Sequence, residues 1–419
     1  MPRPSLAYNN TELKSNWINE EDFVNWKNKG FHHFNNYEVF DKFEVVSAVD
    51  EIPTDNFVYE VQYDFDMFHD YSVFHRRDET LFDKIKIPAR VIEKLHNKKN
   101  VFLSMTLVTE GLLTEQFIIE LSHYLHSRGI PPGKFIYVSN SANGQEIIDK
   151  VYKKYKKTPK TVRHCYFPYF VKYNTNCDNS WVCETSEIKK SFLCFNNMHH
   201  AHRILFYTSL VKKDLLENFY FSMPAENEGI GYVQNYRREI GKLNRDNIDV
   251  SALGIDIKTI REVSKKLPLR IDGEYKKENL DNAFPQLPFF MTSAISVVTE
   301  TYFFEDSIHL TEKTMVPISF GHPFILVSTP NSLAHLRKLG FRTFEKFWSE
   351  DYDQIKDHAK RMMCILELIQ NISKWNSKKL KKFVNEVRPI LEHNTNLIKH
   401  IGEDREAHSE MMKSFNYTL

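Results

Sequence analysis

Apolar and polar positions follow two different rhythms along this 419-residue chain. Over roughly the first hundred residues, short strand-like pieces such as FVYEVQYDFD (57–66) are broken by polar stretches. From Asn100 the pattern sharpens. NVFLSMTLV is an apolar run of strand length. TEQFIIELSHYLHSRGI repeats its apolar residues at helical spacing and ends at Gly129, a residue suited to terminating a helix. KFIYVSN is a second strand. Asn143 followed three residues later by Glu146 is a capping-box signature for a helix over NGQEIIDKVYKKYKK. Strand, helix, strand and helix at this spacing predict βαβ units and a parallel sheet.

The polar, turn-rich stretch VKYNTNCDNSWVCETSEIKK (171–190) separates this block from a second one. There SFLCFNN reads as a strand, HHAHRILFYTSLVKKDLL as a helix and FYFSMP as a short strand. An irregular stretch follows to about 285. SAISVVTE (293–300) is a strand, TEKTMVPISF a short helix and PFILVS another strand. Asn331 is placed to cap SLAHLRKL and Gly340 to end it. Helical patterns at 353–373 and 377–400 finish the chain, and no repeat of fixed period occurs. The expected fold class is α/β, with two Rossmann-like domains facing a cleft and C-terminal helices. The expected boundaries are 1–185, 186–375 and a helical segment 376–419. Such sheets bind ligands at the carboxyl ends of their strands.

Composition narrows the class. A hydrophobic content of 42% supports two ordinary cores. Lys+Arg 56 against Asp+Glu 55 leaves a formal charge of +1, which argues against a strongly basic protein built around long nucleic acid. The basic runs KVYKKYKKTPK and KWNSKKLKKF read as solvated faces of amphipathic helices, although either can approach a phosphate backbone or an acidic membrane surface. Five cysteines form no complete disulfide framework and point to a reducing compartment. Cys165, Cys177 and Cys183 lack a C-x-x-C pair and read as inert thiols. The N-terminus has no apolar signal region, and no apolar run approaches the roughly 18–20 residues of a membrane helix. The expectation is a soluble, cytoplasmic protein with no membrane span. The oligomeric state is not legible.

Two stretches carry candidate chemistry. In SVVTETYFFEDSIHLTEK, Glu300 ends a buried strand and Thr311-Glu312-Lys313 opens a helix. A helix N-terminus offers free amides and a positive dipole end to a diphosphate. Lys313 can add a full charge, and Glu312 can accept from a ribose diol. The same three residues also make an ordinary N-cap with a dipole-favoured acid and a solvated lysine. Pro317 lies too deep for a first-turn proline, so this helix should be short or kinked. In FLCFNNMHHAHRILF, a strand ends at Asn196-Asn197 and Arg203 falls early in the next helix, where a guanidinium can grip a diphosphate bidentately or simply face solvent. His199, His200 and His202 with Cys194 match no standard pair of zinc knuckles. Asp64-Phe65-Asp66 is a D-x-D of the kind that holds a divalent ion and a diphosphate, while Asp66 or His69 can instead line an acceptor pocket.

Arg203, Glu300 and Glu312-Lys313 together resemble the donor-binding half of GT-B glycosyltransferases. The pieces VVTET, SIHLTEK and FGHPFILV are similar to the pattern of family 10 fucosyltransferases. FLCFNN…HR and LGFRTF…DYD follow the order found in glycosyltransferase-like proteins of large phages and viruses. The likeness covers 192–215 and 293–365. Leu310 stands where an aromatic is usual, and Pro317 interrupts the helix. The resemblance implies an enzyme that moves a sugar from a GDP- or UDP-sugar to an acceptor hydroxyl, with inversion and without a metal or other cofactor. It implies donor contacts from Asn196, Asn197, Arg203, Glu300, Thr311, Glu312 and Lys313, and a base from the N-terminal domain, for which Glu110 in SMTLVTEGLLTEQ is the candidate. The acceptor partner is a glycan or a modified base of viral DNA. On this reading Lys313→Ala and Arg203→Ala each cut donor binding and leave the fold intact. Two other readings stay open: a non-catalytic nucleotide-sugar or glycan-binding module, and a metal-dependent GT-A enzyme using Asp64 and Asp66.

Overall fold

Ten parallel-paired strands build two separate sheets in the computed structural model. It describes residues 5–7, 44–46, 57–61, 87–107, 111, 113–173, 188–225, 239, 241, 243, 250–271, 287–403, 410 and 413–414. The chain divides into two compact units, Met1–Tyr169 with Asp404–Leu419, and Phe170–Glu403.

The first unit holds β1 (Ser5–Ala7), β2 (Glu44–Val46), β3 (Phe57–Glu60), β4 (Val101–Leu107), β5 (Phe135–Ser139) and β6 (Val162–Tyr166). Their order is β2-β1-β3-β4-β5-β6, all parallel, with Phe57 opposite Val101, Leu103 opposite Phe135, and Phe135 opposite Val162. Helices α1 (Ala89–Asn97), α2 (Glu115–Ser127) and α3 (Gly144–Lys154) alternate with the later strands. All seven residues of β4 are buried, as expected of an inner strand covered on both faces. Its two hydroxyls, Ser104 and Thr106, share a hydrogen bond at 3.1 Å. Phe57, Leu103, Phe117, Leu121, Phe135 and Ile148 belong to the core.

The second unit holds β7 (Lys190–Phe195), β8 (Phe219–Ser222), β9 (Ser293–Thr299) and β10 (Phe324–Val327), in the order β10-β9-β7-β8 and again all parallel. The helices are α4 (Ala201–Lys212), α5 (Ile257–Ser264), α6 (Glu312–Ser319), α7 (Ser332–Lys338), α8 (His358–Ser373) and α9 (Ser377–Glu403). Five-residue helical segments occur at Tyr169–Tyr173 and Leu287–Met291. The core includes Phe192, Phe206, Ile295, Ile325, Leu366 and Val387. The fold class is thus α/β with two parallel-sheet, Rossmann-like units and helices at the C-terminus. Among the described residues no helix is long and apolar enough to cross a membrane.

Two caps and one helix start differ from the sequence expectation. Asn143 makes no side-chain cap bond to α3. The start of α3 is set instead by packing on β6. Gly144 lies so close to the His164 imidazole that a Cβ would stand 2.5 Å from the ring, and the Gln145 side-chain oxygen accepts from the His164 amide at 2.7 Å. Asn331 sits at φ 66° and caps nothing with its side chain. The amides of Leu333 and Ala334 donate to Asp353 at 2.9 and 3.0 Å. Because Asp353 is committed to that cap, the helical pattern expected from 353 becomes a 3₁₀ turn, Asp351–Gln354, and α8 starts anew behind the N-cap Asp357.

Candidate functional site

Strand order decides where a ligand crevice can form in the second unit. From β7 the chain crosses through α4 to β8 on one side. From the adjacent β9 it crosses through α6 to β10 on the other. Crossovers that leave neighbouring carboxyl ends in opposite directions make the topological switch point at which open α/β sheets bind ligands. Asn196 and Asn197 follow β7, and Glu300 follows β9, so this juncture brings together the two stretches that the sequence singled out.

Buried side chains seal the bottom of the juncture. Asn196 is buried: its amide oxygen accepts from the Thr299 hydroxyl at 2.6 Å, and its NH₂ donates to the Ser222 carbonyl at 3.2 Å, joining the ends of β7, β8 and β9. Arg203 is 1% exposed. Its Nη1 donates to the Met198 carbonyl at 3.2 Å, and its Nη2 donates to the carbonyls of Thr299 and Glu300 at 3.0 and 3.2 Å. His202 Nε2 meets the same Glu300 carbonyl at 2.9 Å. Arg203 and Asn196 were expected to reach a donor diphosphate directly. Instead they staple strand ends, where carbonyls run out of ladder partners. Burial pushes the Arg203 guanidinium down to about 10, against the opposing pull of Glu300, Cys194, Glu312 and Glu239, and it stays charged at neutral pH.

Glu300 is likewise completely buried, and its carboxylate takes four donors. Oε1 accepts from the Thr311 amide at 2.9 Å and from the Thr314 hydroxyl. Oε2 accepts from the Thr311 hydroxyl at 2.8 Å and from the Thr301 amide at 3.1 Å. Four donors fill the lone-pair capacity of a carboxylate, so Glu300 presents no acceptor to a ribose or a sugar. What it does is fix the first turn of α6, where Thr311 is the N-cap and its hydroxyl accepts from the Lys313 amide at 3.3 Å. Pro317 is accommodated because α6 is only eight residues long. The chain then turns at Gly321, φ 59°, into β10.

Own-chain carboxylates also occupy the other helix starts at this edge. Glu239 accepts from the Ala201 amide of α4 at 2.8 Å, and Asp353 serves α7 as described. The amide ends of these helices are therefore not a vacant phosphate cradle. At this edge Lys313 carries an accessible ammonium: it is 31% exposed and pairs with the exposed Glu312 at 2.7 Å. Partial desolvation pushes the Glu312 carboxyl up, but the charge and hydrogen bond of Lys313 outweigh this and hold it below its ordinary value. Asn197, two residues beyond the end of β7, is exposed. Of the residues the sequence singled out, Asn197, Glu312 and Lys313 thus reach the surface, while Asn196, Arg203, Glu300 and Thr311 are buried and fix the strand ends and the start of α6.

Glu110, Asp64, Asp66 and His69 lie outside the described residues. The histidines near Cys194 do not converge on a metal. His199 Nε2 meets the Pro224 carbonyl at 2.9 Å, His202 meets Glu300, and burial pushes the Cys194 thiol up to about 12. Sequence reasoning missed Thr314, Glu239 and Arg361. The T-x-x-T spacing of Thr311 and Thr314 behind a strand-end acid was a readable signal for the first. Glu239 is helical in the fold, but the sequence around it shows no periodic pattern that marks it. Arg361 looked like one more cation on a helix. In the fold it is buried, donating to the carbonyls of Ser328, Ile355 and Phe303, with its guanidinium 4.2 Å from the Phe303 ring.

No protein-family model matches the chain, and no curated protein matches it. Among solved structures, the chain is similar to the DNA-modifying enzyme β-glucosyltransferase, solved with and without uridine diphosphoglucose. That likeness has a TM-score of 0.37 and 8% identity over 99% of this chain and 100% of that one. It is also similar to a T4 phage BGT mutant in complex with UDP-glucose, at a TM-score of 0.35 and 9% identity over 99% and 100%. The α/β assignment rests on the strand topology described above.

Proposed function

We propose that this protein is a glycosyltransferase of GT-B type that moves a sugar from a GDP- or UDP-sugar to an acceptor hydroxyl. The observation that carries this reading is the rim at the β7/β9 switch point. An accessible cation and carboxylate, Lys313 and Glu312, project from a helix start that is locked to the end of β9 by Glu300. A diphosphate needs positive charge held where the leaving group develops negative charge, and Lys313 supplies it without a metal. Glu312 accepts from the ribose diol, and Asn197 offers an exposed amide beyond β7. Arg203, Glu300 and Thr311 are positioning residues in this scheme: the Glu300 carboxylate, the Thr311 hydroxyl and both Nη nitrogens of Arg203 are engaged by the protein itself, while the buried Arg203 Nε has no partner among the described residues. Arg203 still contributes a buried full charge beneath the crevice, in the low-dielectric setting where such a charge acts strongly.

Inversion requires one in-line displacement. A carboxylate takes the proton of the acceptor hydroxyl, the hydroxyl oxygen bonds to the anomeric carbon, and the bond to the diphosphate oxygen breaks. Glu110 is the proposed base on the first unit. The acceptor is a glycan or a modified base of DNA.

The test is calorimetric titration of the full-length protein with UDP- and GDP-sugars, followed by assay for released nucleoside diphosphate with EDTA present. Binding lost in Lys313→Ala, with turnover insensitive to EDTA, supports the proposal. Turnover abolished by EDTA would replace it with the metal-dependent reading through Asp64 and Asp66. Binding without any transfer would leave a nucleotide-sugar-binding module.

A further inference from the structure

The charge of this chain is balanced overall but not locally. Residues 89–166 carry thirteen lysines and arginines against six acidic residues, in a protein whose total is +1. The fold gathers much of this excess at one place. In a parallel sheet every strand is entered from the same edge, and three adjacent strands of the first unit are entered through lysines. Lys98 and Lys99 precede β4, Lys134 precedes β5, and Lys153, Lys154, Lys156, Lys157 and Lys160 precede β6.

Lys134 ties the belt together. Its Nζ donates to the carbonyls of Lys98, Lys99 and Val101 at 2.8, 2.7 and 3.1 Å. The Phe102 ring takes both Lys134, at 4.7 Å, and the Arg163 guanidinium, at 5.6 Å. Burial, and secondarily the charge of Arg163, pull the Lys134 ammonium below its ordinary value. Lys154 is neutralised by Glu115 at 2.8 Å. Lys150, Lys153, Lys156, Lys157 and Lys160 are exposed and make no ion pair among the described residues. Tyr155, among the few large apolar side chains exposed in the described residues, stands in their midst.

We infer that this amino-edge belt is a docking surface for a nucleic-acid backbone. The belt spans three strands, roughly 10 Å, before the turn after α3 extends it. Duplex DNA presents one phosphate charge per about 1.7 Å of its axis, so the belt meets several phosphates at once. Compact lysine charges on flexible stems suit such sequence-independent contact. A membrane surface fits less well, because a single exposed tyrosine provides little to insert among lipids. The inference does not rest on sugar transfer: the belt lies on the first unit, at the sheet edge opposite to the one where such folds bind small ligands.

The test measures binding of the full-length protein to a 20-base-pair duplex and to its single strand by fluorescence anisotropy between 50 and 200 mM salt. The comparison is with K153A/K156A/K157A/K160A and with the control K378A/K379A/K381A/K382A on α9. The belt variant is expected to bind at least tenfold more weakly at 100 mM salt, and its salt slope to fall by about 2–4, at roughly 0.9 per phosphate contact. The control is expected to match wild type. All variants should retain the wild-type melting temperature and nucleotide-sugar titration. Absence of nucleic-acid binding by wild type overturns the inference, as does equal loss in both variants. Binding to phosphatidylserine vesicles that the belt variant abolishes, while its DNA binding persists, also overturns it.

Discussion

Both carboxylate oxygens of Glu300 are held by Thr311, one by its amide at 2.9 Å and the other by its hydroxyl at 2.8 Å. Eleven positions apart in sequence, the two residues close the loop between β9 and α6 into a fixed unit. Glu300→Ala would leave the Thr311 and Thr314 hydroxyls buried without their acceptor. It is expected to cost about 3–5 kcal/mol in urea unfolding. Glu300→Gln keeps one oxygen but turns an NH₂ toward donors, so it should cost less than alanine and more than Thr314→Val. A Glu300→Ala protein as stable as wild type would mean that this carboxylate holds nothing.

Lys313 separates binding from folding. Its ammonium is accessible, and its partner Glu312 is exposed. Lys313→Ala should change stability by less than about 0.5 kcal/mol, as exposed substitutions do. It should weaken nucleotide-sugar binding at least tenfold in calorimetry, or about 1.4 kcal/mol. Lys313→Arg should recover much of that loss. Equal binding by all three proteins would remove Lys313 from the site.

Arg203 behaves oppositely. The sequence led to the expectation that Arg203→Ala leaves the fold intact, and the structure overturns it. A buried guanidinium that donates to the carbonyls of Met198, Thr299 and Glu300 cannot be removed without taking this donor from all three, and among the described residues only the Glu300 carbonyl keeps a second side-chain partner, in His202. Arg203→Lys, which keeps the charge but not the fork, should lose about 2–4 kcal/mol of stability by denaturant titration. Unchanged stability in that variant would show that the carbonyls find other partners.

Acid should weaken the second unit through His322, which lies in the Gly-His-Pro turn before β10. The ring meets the Ser296 hydroxyl at Nδ1, 2.8 Å, and the Ser293 carbonyl at Nε2, 3.1 Å. Burial depresses it from 6.5 to about 4. The unfolded chain therefore takes up this proton first as pH falls. Stability is lost progressively from pH 6.5 down to about 4, on the order of 3 kcal/mol, and His322 contributes no pH dependence above that window. His164, depressed to about 3, acts in the same sense on the first unit. Unfolding free energies between pH 4 and 8 should fall less steeply on the acid side in His322→Asn than in wild type. Parallel curves would exclude His322 as a source.

The sequence alone determined the elements. Largely apolar runs such as 101–107 and 293–299 read as buried strands by their length, and the helical spacing that follows them pointed to βαβ connections, as the fold has it. It also placed Thr311 correctly as an N-cap, because that signal is local. The roles of the charged residues were not local and so were not legible. Glu300 and Lys313 look equally available in a string of letters. Only the tertiary structure decided that one is saturated inside the sheet edge while the other reaches solvent. The same holds for the caps supplied by Glu239 and Asp353, and for the lysines of 153–160, which a balanced total charge conceals until the parallel sheet brings its strand entrances to one edge. Burial and hydrogen-bond saturation depend on which strand ends become neighbours, and strand order is a property of the folded sheet.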